Sequence, residues 1–270
     1  MQIYIHFYYS QRKIYKKSFR KFAAIILVMN LIIDAGNTFV KFAVFQQHTI
    51  VAKKSVILDE FLKTYKKVLK KYTDIERCII SSVGSLGKKE VDAVKNDLDV
   101  LMLDYKTQLP FKNVYSTPKT LGVDRMALVS ASVDQFPNNN VLIIDAGTCI
   151  TYDFITSKNE YLGGAISPGI RLRYKSLHNL TANLPLLDTE EPENIVGNST
   201  HKSIHSGVIN GVLKEIDGNI DEYKEKYSDL TVILTGGDTK FLSNQLKNSI
   251  FANSNFLLEG LNFILEFNSN

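Results

Sequence analysis

The chain has 270 residues, 44% hydrophobic and 22% charged, which argues against a disordered tail and provides for a sizeable core in about two domains. Cys78 and Cys149 stand 71 positions apart with no CxxC and no Cys/His cluster, a usage that argues against a zinc module and fits a reducing, cytoplasmic compartment. The net charge of +4 sits at the front: residues 1–28 carry six basic groups and no acid, leaving 26 positive and 28 negative groups, a net of −2, and so no electrostatic case for a nucleic-acid partner.

The front segment ends in an apolar run, Phe22 to Ile33, whose 12 residues include Asn30. A membrane span needs about 20 apolar residues, and a signal peptide needs a small-residue cleavage site; neither is present, so no membrane partner is expected. We expect the natural start at Met29, with residues 1–28 as an N-terminal extension outside the fold.

From Met29 onward, Leu31 to Ile33, Val40 to Phe45 and Thr49 to Leu58 read as three consecutive strands with short polar turns, a meander. Glu60 to Tyr72 has Phe61, Leu62, Tyr65, Val68, Leu69 and Tyr72 at helical spacing, with Lys63, Lys66, Lys67, Lys70 and Lys71 left for a solvated face. A strand from Cys78 to Ser81, a helix near Lys88 to Leu98, a strand from Val100 to Leu103 and a helix from about Leu121 to Phe136 follow. Pro137 and Asn138 to Asn140 break the pattern, and the boundary between an N-terminal lobe, 29–140, and a C-terminal lobe, 141–270, is placed there.

The order then starts again. Val141 to Thr148 (VLIIDAGT) repeats Leu31 to Thr38 (LIIDAGNT), with Asp34 and Asp145 111 positions apart. The second half gives strands Tyr152 to Ile155 and Tyr161 to Ala165, a helix past Arg171, a long helix from about Thr200, a strand Val232 to Leu234 and a closing amphipathic helix through Leu257, Leu258, Leu261, Ile264 and Leu265. A duplicated α/β unit of this kind predicts two facing lobes with a central cleft and the paired Asp-Ala-Gly turns across it.

An Asp at the end of a buried strand, followed by Gly and Thr, puts a carboxylate beside a tight turn whose N–H groups can face a phosphate. In the first copy Lys41 lies on the next strand, where its ammonium could reach the same oxygens, and Asn37 and Thr38 add donors. The second copy lacks a matching lysine, which suits Asp145 and Thr148 to a cation and to the far side of a polyphosphate. Leu234 to Asp238 (LTGGD) follows a strand, and its paired glycines would let the backbone lie close to a flat ligand such as adenine; a plain strand-to-helix loop is the alternative. Neither a Walker A pattern nor GxGxxG occurs.

Together these segments resemble the two phosphate loops and the adenosine loop of the actin, sugar kinase and Hsp70 superfamily, with its duplicated ribonuclease H-like, actin-like ATPase fold. Asp34 to Lys41, Tyr115 with Pro118 and Leu121 to Arg125, Asp145 to Thr148, Gly163 to Gly169, Thr181 to Pro185, Gly197 to Thr200 and Thr235 to Asp238 look, in order, like type III pantothenate kinases. The resemblance implies ATP-dependent phosphorylation of pantothenate, the entry step of coenzyme A synthesis, in a homodimer that depends on potassium or ammonium, with Mg2+ accompanying ATP. It assigns Asp34, Ala35, Gly36, Asn37, Thr38, Phe39, Val40, Lys41 and Thr148 to ATP, Asp145 to the monovalent cation, Tyr115, Gly122, Val123, Asp124, Arg125 and Thr200 to pantothenate, and Asp124 to the role of catalytic base. Cys149 stands where the family usually has Ala.

The residues suit that chemistry. Phosphoryl transfer asks mainly for positioning and charge neutralisation; pantothenate is a small anion, for which Arg125 is a natural carboxylate partner and Tyr115 and Thr200 are donors. Without the resemblance, Asp124 and Arg125 read as a surface ion pair and Thr200 as a helix cap. His201 and His205, four apart on a helix, lack a third ligand for zinc, and Gly163 to Gly169 reads as a loop, structural or lining the acceptor pocket. The competing functions are a kinase for another small hydroxylated acceptor and a non-catalytic nucleotide-binding regulator of the same fold.

Overall fold

The computed structural model describes residues 29–36, 38–83 and 86–269; the extension 1–28 and Asn37 lie outside the described residues. The chain forms two compact units, one running to Asp104 and the other from Tyr105 to Asn268.

The first unit is a five-stranded sheet in the order β3-β2-β1-β4-β5, built from β1 (Met29–Ala35), β2 (Val40–Gln46), β3 (Thr49–Val56), β4 (Ile75–Ser82) and β5 (Asp99–Met102). The predicted meander is the antiparallel β1-β2-β3 part, and β4 and β5 add on in parallel. Parallel pairing requires crossovers, which α1 (Phe61–Lys71) and α2 (Lys88–Asp97) supply. Leu31, Ile32 and Ile33 of the central strand are fully buried, whereas edge strand β3 keeps Lys53 and Lys54 exposed. Helix α1 lays Phe61 and Tyr65 into the core, with the Phe61 ring 5.1 Å from Phe42, and its five lysines are exposed as predicted.

The second sheet has the order β11-β10-β7-β8-β9-β6. Its strands are β6 (Lys112–Asn113), β7 (Asn140–Ala146), β8 (Cys149–Ile155), β9 (Glu160–Pro168), β10 (Leu230–Thr235) and β11 (Phe251–Ala252). Without β6, this is the order of the first sheet with each strand number raised by six, so the duplication in sequence is a duplication of topology. The helices are α3 (Val123–Gln135), α4 (Ile170–Asn179), α5 (Thr200–His205), α6 (Gly211–Lys226), α7 (Thr239–Ser243) and α8 (Phe256–Phe267). Helices α5 and α6 are one continuous helix with a π-helical turn, Ser206–Asn210, between them.

Two expectations are corrected here. The units divide at Asp104/Tyr105 instead of 140/141. Strand β6 pairs with β9, and α3 packs against α8, so both belong to the second unit. The polar stretch at 137–140 is a turn inside that unit, with Asn138 at φ +62° and the Asn140 amide donating to Asp229 at 2.9 Å. Residues 163–168 are strand, not loop, because β8 offers a complete partner edge from Cys149 opposite Pro168 to Ile155 opposite Tyr161.

Candidate active site

The two Asp-Ala-Gly turns both open hairpins, the second one residue shorter than the first. Each joins the central strand to its antiparallel neighbour and is closed by a glycine N–H: Gly36 donates to the Phe39 carbonyl at 3.1 Å and Gly147 to the Cys149 carbonyl at 2.9 Å. In the first, Asp34 pairs across the ladder with Lys41, and the Lys41 ammonium lies 3.3 Å from Asp34 Oδ2. In the second, the position opposite Asp145 is Thr151, so the missing lysine is a difference at one register position. The Ala35 and Val40 side chains are in the core, which leaves only their backbone for a nucleotide, while Thr38, Phe39 and Thr148 are exposed.

The Thr235 to Asp238 loop packs on the second hairpin. Gly236 has φ +97°, and a Cβ there would lie 2.3 Å from both the Ala146 carbonyl oxygen and Asp145 Oδ1; the Asp238 N–H donates to that same carbonyl at 3.0 Å. Gly237 by contrast has nothing within 4 Å of its Cβ position. The paired glycines thus divide the work: Gly236 lets the loop close on the Asp145 turn, and Gly237 is the open one. Burial raises the Asp238 carboxyl, partly opposed by Arg171.

Asp124 stands in the first turn of α3, where its Oδ1 accepts from the Arg125 N–H at 2.9 Å. A Cβ on Gly122, the residue preceding the helix, would fall 2.4 Å from that oxygen, so glycine is what allows the carboxylate to fold over the helix start. A negative charge there is favoured by the helix dipole.

Arg125 does not pair with the Asp124 carboxylate at the surface. It is buried, and its Nε donates to Asp153 Oδ1 on β8 at 2.8 Å. The Tyr161 hydroxyl donates to the same oxygen at 2.7 Å, and the Tyr115 and Tyr161 rings lie 5.7 and 5.9 Å from the guanidinium carbon. Tyr115 itself sits against Gly163, 3.0 Å from that residue's Cβ position. Burial alone would lower the Arg125 guanidinium, but Asp153 and the tyrosines together hold it above its ordinary value. Arg125 Nη2 and Asp153 Oδ2 are buried without a hydrogen-bond partner.

Burial lifts the Asp153 carboxyl to about 6, against the pull of Arg125 and of the Tyr161 hydroxyl. Since an unfolded Asp titrates near about 3.9, the folded protein retains a proton between about pH 4 and 6 that the unfolded chain has released, and this group makes stability fall as pH rises across that window. Wild-type stability measured relative to Asp153→Asn should therefore decline from about pH 4 to 6 and level off above; a relative stability that rises over that range would contradict the burial argument.

Thr200 is the first residue of α5 but not its cap, since the Ser199 hydroxyl accepts from the Lys202 N–H at 3.3 Å. Thr200 lines a groove with Arg173, Leu177, Leu184, Ser203 and Ile204, none of which belongs to the Tyr115–Arg125 group. His205 is buried against Tyr174, with Nδ1 2.8 Å from its hydroxyl, a packing role. Sequence reasoning missed Asp153 and Tyr161, although an acid at a buried position of an apolar strand is a signal that a partner must be present.

Asp145 presents carboxylate oxygen beside the Ala146 main-chain carbonyl, hard oxygen donors of the kind that suit an alkali or alkaline-earth cation better than a soft metal. Among the described residues no group of three or more His, Cys, Asp or Glu is arranged to hold a metal, and no helix is long and apolar enough to cross a membrane.

The family model for type III pantothenate kinase matches residues 30–222. A type III pantothenate kinase from Christiangramia forsetii is 55% identical over 240 residues, covering 89% of this chain and 99% of the relative. Among solved structures, a conserved Baf family protein from Campylobacter jejuni superposes with a TM-score of 0.60 at 23% identity, covering 88% of this chain and 98% of that one. A ROK family glucokinase from Streptomyces griseus, in complex with glucose and AMPPNP, gives 0.50 at 11% identity, covering 88% and 98%. At such identities the structural likeness is one of fold alone.

Proposed function

The chain belongs to the type III pantothenate kinase family, and from that premise we propose how its own residues carry the reaction. The enzyme transfers the γ-phosphoryl group of ATP to the primary hydroxyl of pantothenate, the first step of coenzyme A synthesis. Asp124 is the base that orients the hydroxyl and accepts its proton, and Arg125 and Tyr115 receive the acceptor, with Gly122 and Val123 shaping the approach to the helix start. The observation that carries this reading is the pairing, at the head of α3, of a carboxylate turned over the helix start with a buried guanidinium that keeps one N–H group unpartnered.

Lys41 and the first hairpin bind the phosphates of ATP in this reading, and Thr148 is a further ATP contact. The Lys41–Asp34 ion pair is half exposed on the lysine side, and such a pair is worth about 0–1 kcal/mol, so the ammonium can transfer to phosphate at little cost. Asp145 would hold potassium or ammonium, whose positive charge offsets that of the triphosphate, and Mg2+ would accompany ATP. The enzyme acts as a homodimer in this reading, as the family resemblance implies.

A coupled ADP-release assay with pantothenate, glycerol and several sugars as acceptors, with and without potassium, tests the reading. We expect turnover on the order of 1–100 s⁻¹ with pantothenate alone, and loss of activity when potassium and ammonium are omitted. Phosphorylation of a sugar in preference to pantothenate would assign the site to another acceptor.

A further inference from the structure

We propose that Asp153, with Tyr161, is the positioning pair that holds Arg125 for the carboxylate of the acceptor. The inference rests on the reading of Arg125 as the acceptor's carboxylate partner and concerns how the fold makes that guanidinium usable.

Arg125 follows Asp124 directly, so any rotation of its side chain would leave the base and the carboxylate receptor out of register. An arginine on its own does not stay in one place: the side chain is long, and burying its charge unpaired is costly. Here three elements fix it. Strand β8 supplies Asp153, which accepts from Nε at 2.8 Å; strand β9 supplies Tyr161, whose hydroxyl holds the same carboxylate oxygen at 2.7 Å; and the Tyr115 and Tyr161 rings stand beside the guanidinium. Asp153 is fully buried and Arg125 is 5% exposed.

The contact is made through one nitrogen only. Nη2 keeps no partner, and a buried donor in that state carries its desolvation penalty uncompensated. A core ion pair that existed only for stability would be expected to engage both nitrogens of the guanidinium edge, as bidentate Arg–carboxylate pairs do. The end-on contact instead neutralises and orients the guanidinium through Nε without engaging its whole edge. Tyr161, by binding the oxygen already taken by Nε, restrains Asp153 from swinging toward Nη2.

The test compares pantothenate with panthenol, the neutral analogue in which a CH2OH group replaces the carboxylate. Dissociation constants for both are measured by calorimetry on the full chain as wild type, Asp153→Asn and Tyr161→Phe, alongside kcat and KM for pantothenate. We expect the wild type to bind pantothenate at least about tenfold more tightly than panthenol, as a charge-assisted contact requires. In both variants that ratio should shrink to within about threefold, with KM for pantothenate rising more than kcat falls. Tyr161→Phe, which removes one hydroxyl, decides the matter if Asp153→Asn does not fold. An unchanged ratio in the folded variants, or a wild-type ratio near one, overturns the proposal; a wild type that does not phosphorylate pantothenate at all refutes the acceptor reading itself.

Discussion

Asp124→Asn is expected to lower kcat by about 10²–10⁴-fold, the usual worth of a positioned acid or base, with KM for ATP changing by less than about threefold. The amide keeps an oxygen for the Arg125 N–H, which Asp124 Oδ1 now accepts at 2.9 Å, and it fits the space that Gly122 leaves open, so the start of α3 is retained. What it loses is the capacity to take the proton of the acceptor hydroxyl. Steady-state kinetics together with nucleotide binding checks this: a variant that binds ATP but does not turn over supports the assignment, and full activity refutes it. A non-catalytic regulator of the same fold would have no need of the carboxylate.

Gly236→Ala is the second substitution with a large expected effect, and Gly237→Ala is its internal control. At Gly236 the backbone is left-handed and a methyl group would meet the Ala146 carbonyl and the Asp145 carboxylate, both at 2.3 Å. A strained backbone costs about 1–3 kcal/mol and overpacking about 1–3 kcal/mol more, with a Tm decrease of roughly 2–4 °C per kcal/mol for a domain of this size. Because the displaced group is Asp145, activation by potassium should weaken as well. At Gly237 a methyl group meets nothing, so stability should change by no more than about 0.5 kcal/mol. Thermal unfolding of both variants separates the steric account from a general intolerance of the loop, which would lower the two alike.

The features legible in the sequence were those that repeat. β-branched runs at Leu31 to Ile33 and Val141 to Ile144 mark the two central strands, and the Asp-Ala-Gly turn after each fixes where the hairpins start. Local pattern is enough there because a central strand is apolar along its whole length. It was not enough at β6, where two polar residues become a strand only because the β9 edge is open beside them. Nor did it give the π-helical turn after His205, since a helical pattern persists on both sides of it. The unit boundary was misplaced for a related reason: a proline and three asparagines signal a turn, but whether the turn separates two units depends on where α3 packs.

The candidate site divides the same way. Asp124, Arg125 and Tyr115 stood out as residue types in a recognisable order, while Asp153 and Tyr161 sit in segments that read as ordinary strand, and their link to Arg125 is made across β8, β9 and α3. The expected surface ion pair between Asp124 and Arg125 fails because the helix turns the two side chains apart, sending the arginine into the core toward Asp153.

The most direct measurement is a crystal structure of the chain with pantothenate bound. The account predicts the acceptor's carboxylate within hydrogen-bond distance of the Arg125 guanidinium, its primary hydroxyl beside the Asp124 carboxylate, and the Arg125–Asp153 contact unbroken. Pantothenate bound with its hydroxyl away from Asp124, or its carboxylate held by other residues while Arg125 stays unoccupied, would contradict it.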